Sequence, residues 1–348
     1  AGTFYANCDA WRTCIGTCAV STSTLTADLP SRGPSRYMEN GKGLFNQSHL
    51  DTAPTQAHAN LQMASNLTFL IESSKQLGLP GMINLEKSRW ANSIRDKRPN
   101  AATNAHIWSV TKPMVLSARW EAAVDELVQT LLPLAPAHAN RVVGVMIGDE
   151  LVCGHFPLAN LTVLAGKLHD MLSGAGMFIF TNECFREGFP CKTDADCATQ
   201  GSGAGPATCH GKTCHAAVWP EIPAGLDYIS CDVYSHGAKE AQLAQTYAET
   251  FFFPLLKPHQ SVWLVPGLFG SNGIQTNATA MAAEDDALVE KLDAFWEYAQ
   301  AERRVTGLLP WHWGDLGARF QPSSMALGGA DFPKTMAKIA QIRKSLGV

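Results

Sequence analysis

Several features that would assign this chain to a common functional class are missing from its sequence. No apolar run is long enough to span a bilayer, and a net charge of −4 with histidine neutral provides no basic surface for nucleic acid or anionic membranes. No glycine-rich phosphate loop follows a predicted strand, and no Gly-x-Ser-x-Gly elbow or His-Glu-x-x-His helix occurs. We therefore predict a protein without a cofactor, a bound metal, a nucleic-acid partner or a membrane partner.

Cysteine, by contrast, is abundant. The chain has ten cysteines, three of them near the N-terminus and six between residues 184 and 231. An even number suits disulfide pairing in an oxidising compartment, so we expect all ten to be paired. Four Asn-x-Ser/Thr glycosylation sequons, which begin at Asn46, Asn66, Asn160 and Asn277, agree with that compartment. The two signals together predict a secreted glycoprotein.

Strand-like and helix-like segments alternate from residue 55 onward. The predicted strands are 3–7, 82–86, 106–110, 142–147, 177–181, 226–234, 262–269 and 305–311, and the predicted helices are 55–77, 118–132, 158–172, 239–253, 283–301 and 332–346. Eight strands with interleaved helices indicate an α/β fold, namely a (β/α)8 TIM barrel. We expect residues 1–348 to form this barrel as a single domain, and we expect the protein to be a monomer. The alternative is an open doubly wound sheet, which the missing phosphate loop disfavours.

One segment interrupts the alternation. Residues 184–218 are rich in cysteine, glycine, threonine and alanine, and so short a piece needs crosslinks to hold a shape. His210 and His215 beside cysteines raise a zinc alternative, but five residues between Cys191 and Cys197 is a poor finger spacing. We predict a disulfide-rich insertion after strand five, on the C-terminal rim of the barrel.

The most informative stretch is Ile147-Gly148-Asp149-Glu150, which ends the apolar run 141–146. Buried parallel strands normally read as continuous Val, Ile and Leu, so two adjacent carboxylates at such a strand end are unusual. The carboxyl ends of barrel strands are where this fold keeps its chemistry. The alternative interpretation is that Asp149 caps the turn and Glu150 is solvated.

Other polar and aromatic residues are predicted at the same edge. Paired carboxylates flanked by aromatic side chains are the components of glycosidic bond cleavage, in which one carboxylic acid protonates the leaving oxygen and a second group stabilises or attacks the cationic centre. Aromatic faces stack on sugars. The catalytic candidates are Glu150, Asp149, Asp232 and Glu183, and the substrate-binding candidates are Trp311, Trp313, Tyr234, Glu86, His312 and Asn182.

Some of these candidates have a structural alternative. Glu183 precedes Cys184 and could simply flank the insertion, and Asp232 could form a salt bridge with a neighbour. Trp311 and Trp313 alternate along a strand and so face one side, where they could pack in the barrel core instead of beneath a sugar.

The sequence resembles secreted (β/α)8 glycoside hydrolases, and 147–151 locally resembles the Gly-Asp-Glu motif of family 20 β-hexosaminidases. That resemblance implies that Asp149 orients a substrate 2-acetamido group acting as the nucleophile, and that Glu150 is the general acid. The broader retaining clan has a nucleophilic Glu at the end of strand seven, but 262–269 contains no carboxylate.

Three explanations stay open for that missing carboxylate. The nucleophile belongs to the substrate, or the second carboxylate is Glu183, Asp232 or Glu86, or the site is inactive. We therefore predict a glycoside hydrolase that acts on an oligo- or polysaccharide. The alternative is a catalytically inactive, secreted, lectin-like barrel that binds carbohydrate.

Overall fold

A computed structural model describes the chain, with gaps, from Gln62 to Ser345. The described residues are 62–64, 66–77, 80–86, 88–96, 115–136, 142–152, 156–184, 192–195, 208–210, 213–215, 219–270, 277–310, 327–328 and 332–345. The predicted strands 3–7 and 106–110 and the aromatic run 311–313 lie outside them.

Seven strands of the described part form one parallel sheet. They are β1 (Gln62–Ala64), β2 (Gly81–Asn84), β3 (Val142–Asp149), β4 (Phe178–Cys184), β5 (Tyr228–Asp232), β6 (Ser261–Val265) and β7 (Val305–Leu308). Their order in the sheet is their order in the chain, and each pairs in parallel with the strand before it. Right-handed crossovers between sequential parallel strands place every connection on one face, so the sheet curls as in a TIM-like barrel.

Within the described ranges, six helices of eight residues or more connect or follow these strands. They are α1 (Leu67–Leu77), α2 (Trp120–Leu131), α3 (Leu158–Leu172), α4 (Lys239–Tyr247), α5 (Ala278–Ala301) and α6 (Pro333–Ser345). Shorter turns are the α-helical Ala91–Ile94, the 3₁₀ turns Leu132–Leu134, Ser173–Ala175 and Phe253–Leu255, and the π-helical Ala248–Phe252. None of the described helices is long and apolar enough to cross a membrane.

Two separate hydrophobic cores lie on the two faces of the sheet. The larger contains the buried faces of the helices together with alternate strand residues; Val124 and Leu127 of α2 and Val145 and Ile147 of β3 belong to it. The smaller core has no helix residue, and it extends from Met63 of β1 to Leu309 after β7. An interior core that extends from the first strand to the residue after the last strand is the arrangement of a filled barrel.

Aromatic rings fill this interior core. The Trp263 ring stacks on the Tyr228 ring with centroids 4.3 Å apart, and the centroid of the Phe180 ring lies 4.6 Å from that of Trp263. Gly144 and Gly307 make room for these rings, because a Cβ at either position would lie 2.3 Å from an atom of Phe178 or Trp263. The interior of the sheet is therefore filled with side chains below the carboxyl ends of the strands.

Several predicted boundaries are wrong. Within the helix predicted over 55–77, the described residues Gln62–Ala64 pair with β2 as a strand, and α1 begins at Leu67. Three residues are too few to show the alternation of a strand, so they were included in the helical apolar pattern that follows them. The strand predicted over 262–269 ends at Val265, and Phe269–Gly270 pairs antiparallel with Leu327–Gly328 instead.

Part of the predicted insertion is described. Thr208–His210 and Thr213–His215 form a two-stranded antiparallel hairpin that pairs Cys209 with Cys214 in register, and Cys209 is disulfide-bonded. The backbone N–H of Cys209 also donates to Asp194 Oδ1 at 2.6 Å. The hairpin follows β4 of the described sheet, and the pairing of the other cysteines stays a prediction.

Candidate active site

A bulge near the end of β3 sets the direction of Asp149. Met146 pairs with Phe180, but Asp149 pairs with Asn182, so β3 contains one residue more than β4 over this stretch. Because strand side chains alternate, one extra residue moves the next side chain to the opposite face. Met146 belongs to the interior core, and the bulge brings Asp149 onto that same interior side.

Three adjacent strands fix Asp149 through a chain of hydrogen bonds. Asn182 Nδ2 donates to Asp149 Oδ1 at 2.8 Å, and Ser230 Oγ donates to Asn182 Oδ1 at 2.5 Å. Asn182 and Ser230 are buried, whereas Asp149 is half-buried. The amide orientation follows from this network, since only one choice satisfies both contacts. The arrangement holds one carboxylate oxygen of Asp149 in place and leaves the group in reach of solvent.

Glu150 has a backbone conformation that is costly for its residue type. Its φ is +54°, in the left-handed region, and its N–H donates to the carbonyl oxygen of Asn182 at 2.7 Å. A side chain with a Cβ costs about 1–2 kcal/mol there relative to the right-handed region. The side chain of Glu150 is half-buried. Strain at one residue of a strand end is a recognised sign of a functional position.

Glu183, the neighbour of Asn182, faces the other side of the sheet. It is in phase with Ile179, which packs on the helix side, and it is 2% exposed. Its Oε1 and Oε2 accept from the N–H of Val152 at 3.3 and 3.1 Å. This contact holds the loop that follows the Asp149–Glu150 pair. The geometry does not bring Glu183 together with Asp149 and Glu150 on the interior side.

The end of β2 contributes a further charged pair. Asn84 Oδ1 accepts from the N–H of Glu86 at 2.8 Å, and Glu86 is half-buried. The guanidinium of Arg95 is buried nearby, and burial lowers the pKa of Arg95 while the charge of Glu86 acts in the opposite direction. Glu86 is therefore placed to balance a buried cation, a role that does not depend on substrate.

A buried ion pair that the sequence analysis missed supports the loops after β5 and β6. Lys291 Nζ of α5 lies 2.8 Å from Glu240 Oε2 of α4 and donates to the carbonyl oxygen of Gly267 at 2.8 Å. The other Glu240 oxygen accepts from Gly267 N–H at 2.6 Å, and Oε2 also accepts from Ser235 N–H at 2.7 Å. Burial raises the pKa of Glu240, against the lowering effect of Lys291. The sequence could not predict this pair, because Glu240 and Lys291 are 51 residues apart on different helices.

The remaining predicted site residues are placed in part. Tyr234 lies after β5, is 36% exposed, and makes an edge contact with Phe269 at 5.2 Å between centroids. Asp232 is the last residue of β5, paired in register with Cys184 and Val265. Trp311, His312 and Trp313 lie outside the described residues. The structure thus brings together Asp149, Glu150 and Asn182 from the predicted set.

Within the ranges that the structure describes, no group of three or more His, Cys, Asp or Glu side chains is arranged to hold a metal ion. The described residues at the carboxyl edge supply carboxylates from Asp149 and Glu150, an amide from Asn182 and a hydroxyl from Ser230. Carboxylates held at a strand end can transfer protons and orient polar groups of a substrate.

No protein-family model and no curated protein matches this sequence. Solved structures similar to the chain include glycoside hydrolases of several families. The spore cortex-lytic enzyme SleL of Bacillus megaterium QM B1551 has 10% identity and a TM-score of 0.46, with 89% of this chain and 74% of that chain covered.

Two further structures have the same degree of similarity. The glycoside hydrolase family 17 beta-1,3-glucanosyltransferase from Rhizomucor miehei has 12% identity and a TM-score of 0.46, with 85% and 93% of the two chains covered. The GH18 chitinase ChiB of Flavobacterium johnsoniae has 11% identity and a TM-score of 0.46, with 88% and 94% covered. Similarity at this level assigns neither a substrate nor a reaction, so a function must be argued from the residues.

Proposed function

We propose that the protein is a glycoside hydrolase in which Glu150 is the general acid and Asp149 is its polar partner. The observation that carries the proposal is the construction of the end of β3. A bulge turns Asp149 to the interior side, a hydrogen-bond chain from Ser230 through Asn182 fixes it, and Glu150 is held at a φ of +54° beside it. A solvated turn needs none of these features, so they favour a functional role over a simple cap.

The two carboxyl groups would act in different ways. Glu150, which is half-buried, would deliver a proton to the glycosidic oxygen as the bond to the anomeric carbon breaks. Asp149 would accept a hydrogen bond from the substrate through the oxygen that Asn182 does not occupy. That assignment matches the family 20 motif, in which the corresponding Asp holds a 2-acetamido group.

The other strand ends bear on the source of the second catalytic group. β6 ends at Val265, and Pro266 and Gly267 follow it without a carboxylate; Glu240, which accepts a hydrogen bond from Gly267 N–H, is fully buried and bound to Lys291. Glu183 is bound to Val152 on the helix side. These placements favour a nucleophile that belongs to the substrate, so we propose a sugar with a 2-acetamido group as the substrate class.

Replacement of Glu150 by Gln tests the general acid directly. Glu150→Gln keeps shape but has no titrating proton, so turnover of ordinary glycosides should fall about 10²-fold or more. Binding of oligosaccharide, measured by calorimetry, should stay nearly unchanged. The matched control is Glu297→Gln, which removes an exposed glutamate of α5 and should keep the parent rate. A Glu150→Gln protein with the full rate would show that another group is the acid.

The substrate class needs a separate comparison. The parent protein and Asp149→Asn are assayed on chitin-type, β-glucan and mannan oligosaccharides. A substrate-borne acetamide predicts that Asp149→Asn loses activity selectively on the N-acetylated panel. Equal losses on all three panels would contradict the acetamido assignment and leave the general acid intact.

A second function, sugar binding without catalysis, is favoured by the same lack of a carboxylate at the end of β6. It predicts that the parent hydrolyses none of the three panels but binds one of them saturably. Replacement of Trp311 or Trp313 by Ala should then weaken binding.

A further inference from the structure

Two of the four glycosylation sequons begin at residues that cap helices. Asn66 directly precedes α1, and its Oδ1 accepts from the N–H of Phe69 at 3.0 Å. Asn277 directly precedes α5, and its Oδ1 accepts from the N–H of Ala280 at 3.1 Å. Each asparagine thus satisfies one of the amide groups that the first helical turn leaves unpaired.

The capping bond uses one end of each side-chain amide and leaves the other. Oδ1 is directed at the helix, while Nδ2 of Asn66 and of Asn277 has no hydrogen-bond partner among the described residues. Both asparagines are exposed, and so are the sequon threonines, Thr68 and Thr279. Nδ2 is the atom that receives an N-linked sugar, so these two sequons present the reactive end to solvent.

The sequon at Asn160 has a different environment. It lies inside the first turn of α3, where Asn160 is half-buried and Leu161 is fully buried. The hydroxyl of Thr162 donates to the carbonyl oxygen of Leu158 at 2.9 Å. Asn160 also lines a groove of about 1040 Å³ together with Trp120. It therefore serves as an internal comparison for the two capping sequons.

We propose that Asn66 and Asn277 carry N-linked glycans, independently of the catalytic proposal. In the transfer, Nδ2 forms a bond to the anomeric carbon of a lipid-diphosphate oligosaccharide donor. The bond from that carbon to the diphosphate oxygen breaks, and the amide proton leaves with the released lipid diphosphate. The side chain stays an amide with an intact carbonyl, so Oδ1 continues to cap the helix after the sugar is attached.

The fold places both glycans at the carboxyl edge of the sheet, which is also the edge that carries Asp149. Asn66 follows β1 by two residues, and α5 is the helix that follows β6. Connections from a strand to the next helix lie at the carboxyl edge of the parallel strands, as Asp149 does at the end of β3. The two attachment sites follow β1 and β6, so neither asparagine belongs to β3, β4 or β5, which hold the hydrogen-bonded chain.

Site occupancy tests the proposal. The full chain is secreted from eukaryotic cells that add N-glycans, and the glycans are released enzymatically in ¹⁸O water before peptide mass mapping. We expect the label at Asn66 and Asn277 in most molecules. Thr68→Ala and Thr279→Ala should each remove one glycan by mass, with the asparagine cap unchanged. The proposal is wrong if either site is empty in most copies, or if Asn160 is the main occupied site.

Thermal unfolding tests the capping geometry separately from occupancy. Asn66→Ala and Thr68→Ala both lack the glycan, but only Asn66→Ala lacks the capping oxygen. Asn66→Ala should therefore have a lower Tm than Thr68→Ala, and Asn66→Asp should restore the Tm because aspartate caps as well as asparagine does. Equal Tm values for all three variants would overturn the assignment of Asn66 as a cap that keeps its bond when glycosylated.

Discussion

At the scale of single residues, the conformation of Glu150 is the most unusual feature of the described chain. Its left-handed φ of +54° would suit glycine or asparagine, yet the position has a glutamate next to the fixed carboxylate of Asp149. A chain selected only for stability would place glycine here. The glutamate therefore indicates that its side chain has a use that outweighs the backbone cost.

Comparison of two variants that both lack the carboxylate isolates this backbone cost. Glu150→Gly relieves the steric conflict at positive φ, while Glu150→Ala keeps it, so Glu150→Gly should be more stable than Glu150→Ala by about 1 kcal/mol. The measurement is chemical denaturation of both proteins under identical conditions. Both should lack activity on every panel. Equal stability of the two variants would show that φ at this position relaxes without cost.

Residue-level features were predicted from the sequence to an uneven degree. The strand 142–147 was strong enough in its apolar pattern to place Asp149 and Glu150 at a strand end, as the structure has them. The bulge was not predictable, because it is a mismatch between two strands and not a property of either. The contact from Ser230 to Asn182 also depends on strand register across 48 residues.

Simple alternation would have improved the prediction in one place. Asn182 and Glu183 are adjacent in β4, so they cannot both face the interior. Phe178 and Phe180, in phase with Asn182, are the apolar residues of the interior core. The same reasoning places Glu183 on the helix side, where Val152 binds it.

At the scale of elements, the Glu240–Lys291 pair connects α4, α5 and the loops after β5 and β6. Lys291 is 4% exposed and Glu240 is 0% exposed, and each charge has further hydrogen bonds from or to Gly267. An ion pair so buried contributes to the geometry of the site by fixing the loop positions. It also leaves a costly charge behind if one partner is removed.

Removal of one partner should therefore destabilise the protein strongly. Lys291→Met leaves Glu240 buried without its cation and should cost about 3–5 kcal/mol in the free energy of unfolding. Lys334→Met is the control, because its pair with Asp286 is exposed and should contribute less than about 1 kcal/mol. Urea denaturation measures both. The double variant Glu240→Gln/Lys291→Met should recover part of the loss, and no recovery would mean that Lys291 acts through packing alone.

At the scale of the whole molecule, one interior core contains residues from six of the seven strands of the described sheet, together with Leu309, which follows β7. Its aromatic centre is Trp263, whose ring contacts Tyr228, Phe178 and Phe180. Gly307 of β7 allows this ring to lie against the strand, because a Cβ there would sit 2.3 Å from Trp263 Cδ1. The Trp263 ring therefore leaves no room for a side chain at position 307.

A pair of glycine substitutions tests this packing. Gly307→Ala overfills the interior and should lower the free energy of unfolding by about 1–3 kcal/mol. Gly166→Ala is the contrasting change, since a Cβ at this α3 position meets nothing within 4 Å, and it should raise stability by about 0.5–1 kcal/mol. Both values come from thermal and urea unfolding. If Gly307→Ala is neutral, the ring of Trp263 must have another position available.

The order of the strands also has a consequence for synthesis of the protein. Each strand of the described seven-stranded sheet pairs with the strand of that sheet that precedes it in the chain, so a nascent polypeptide leaving the ribosome can add these strands one at a time to a single growing edge. Until the next strand arrives, that edge presents unpaired backbone groups of the kind that recruit other chains. The longest connections follow β2 and β4. The edges of those two strands therefore stay unpaired longest during translation, and we expect a chaperone to bind the nascent chain at these two edges.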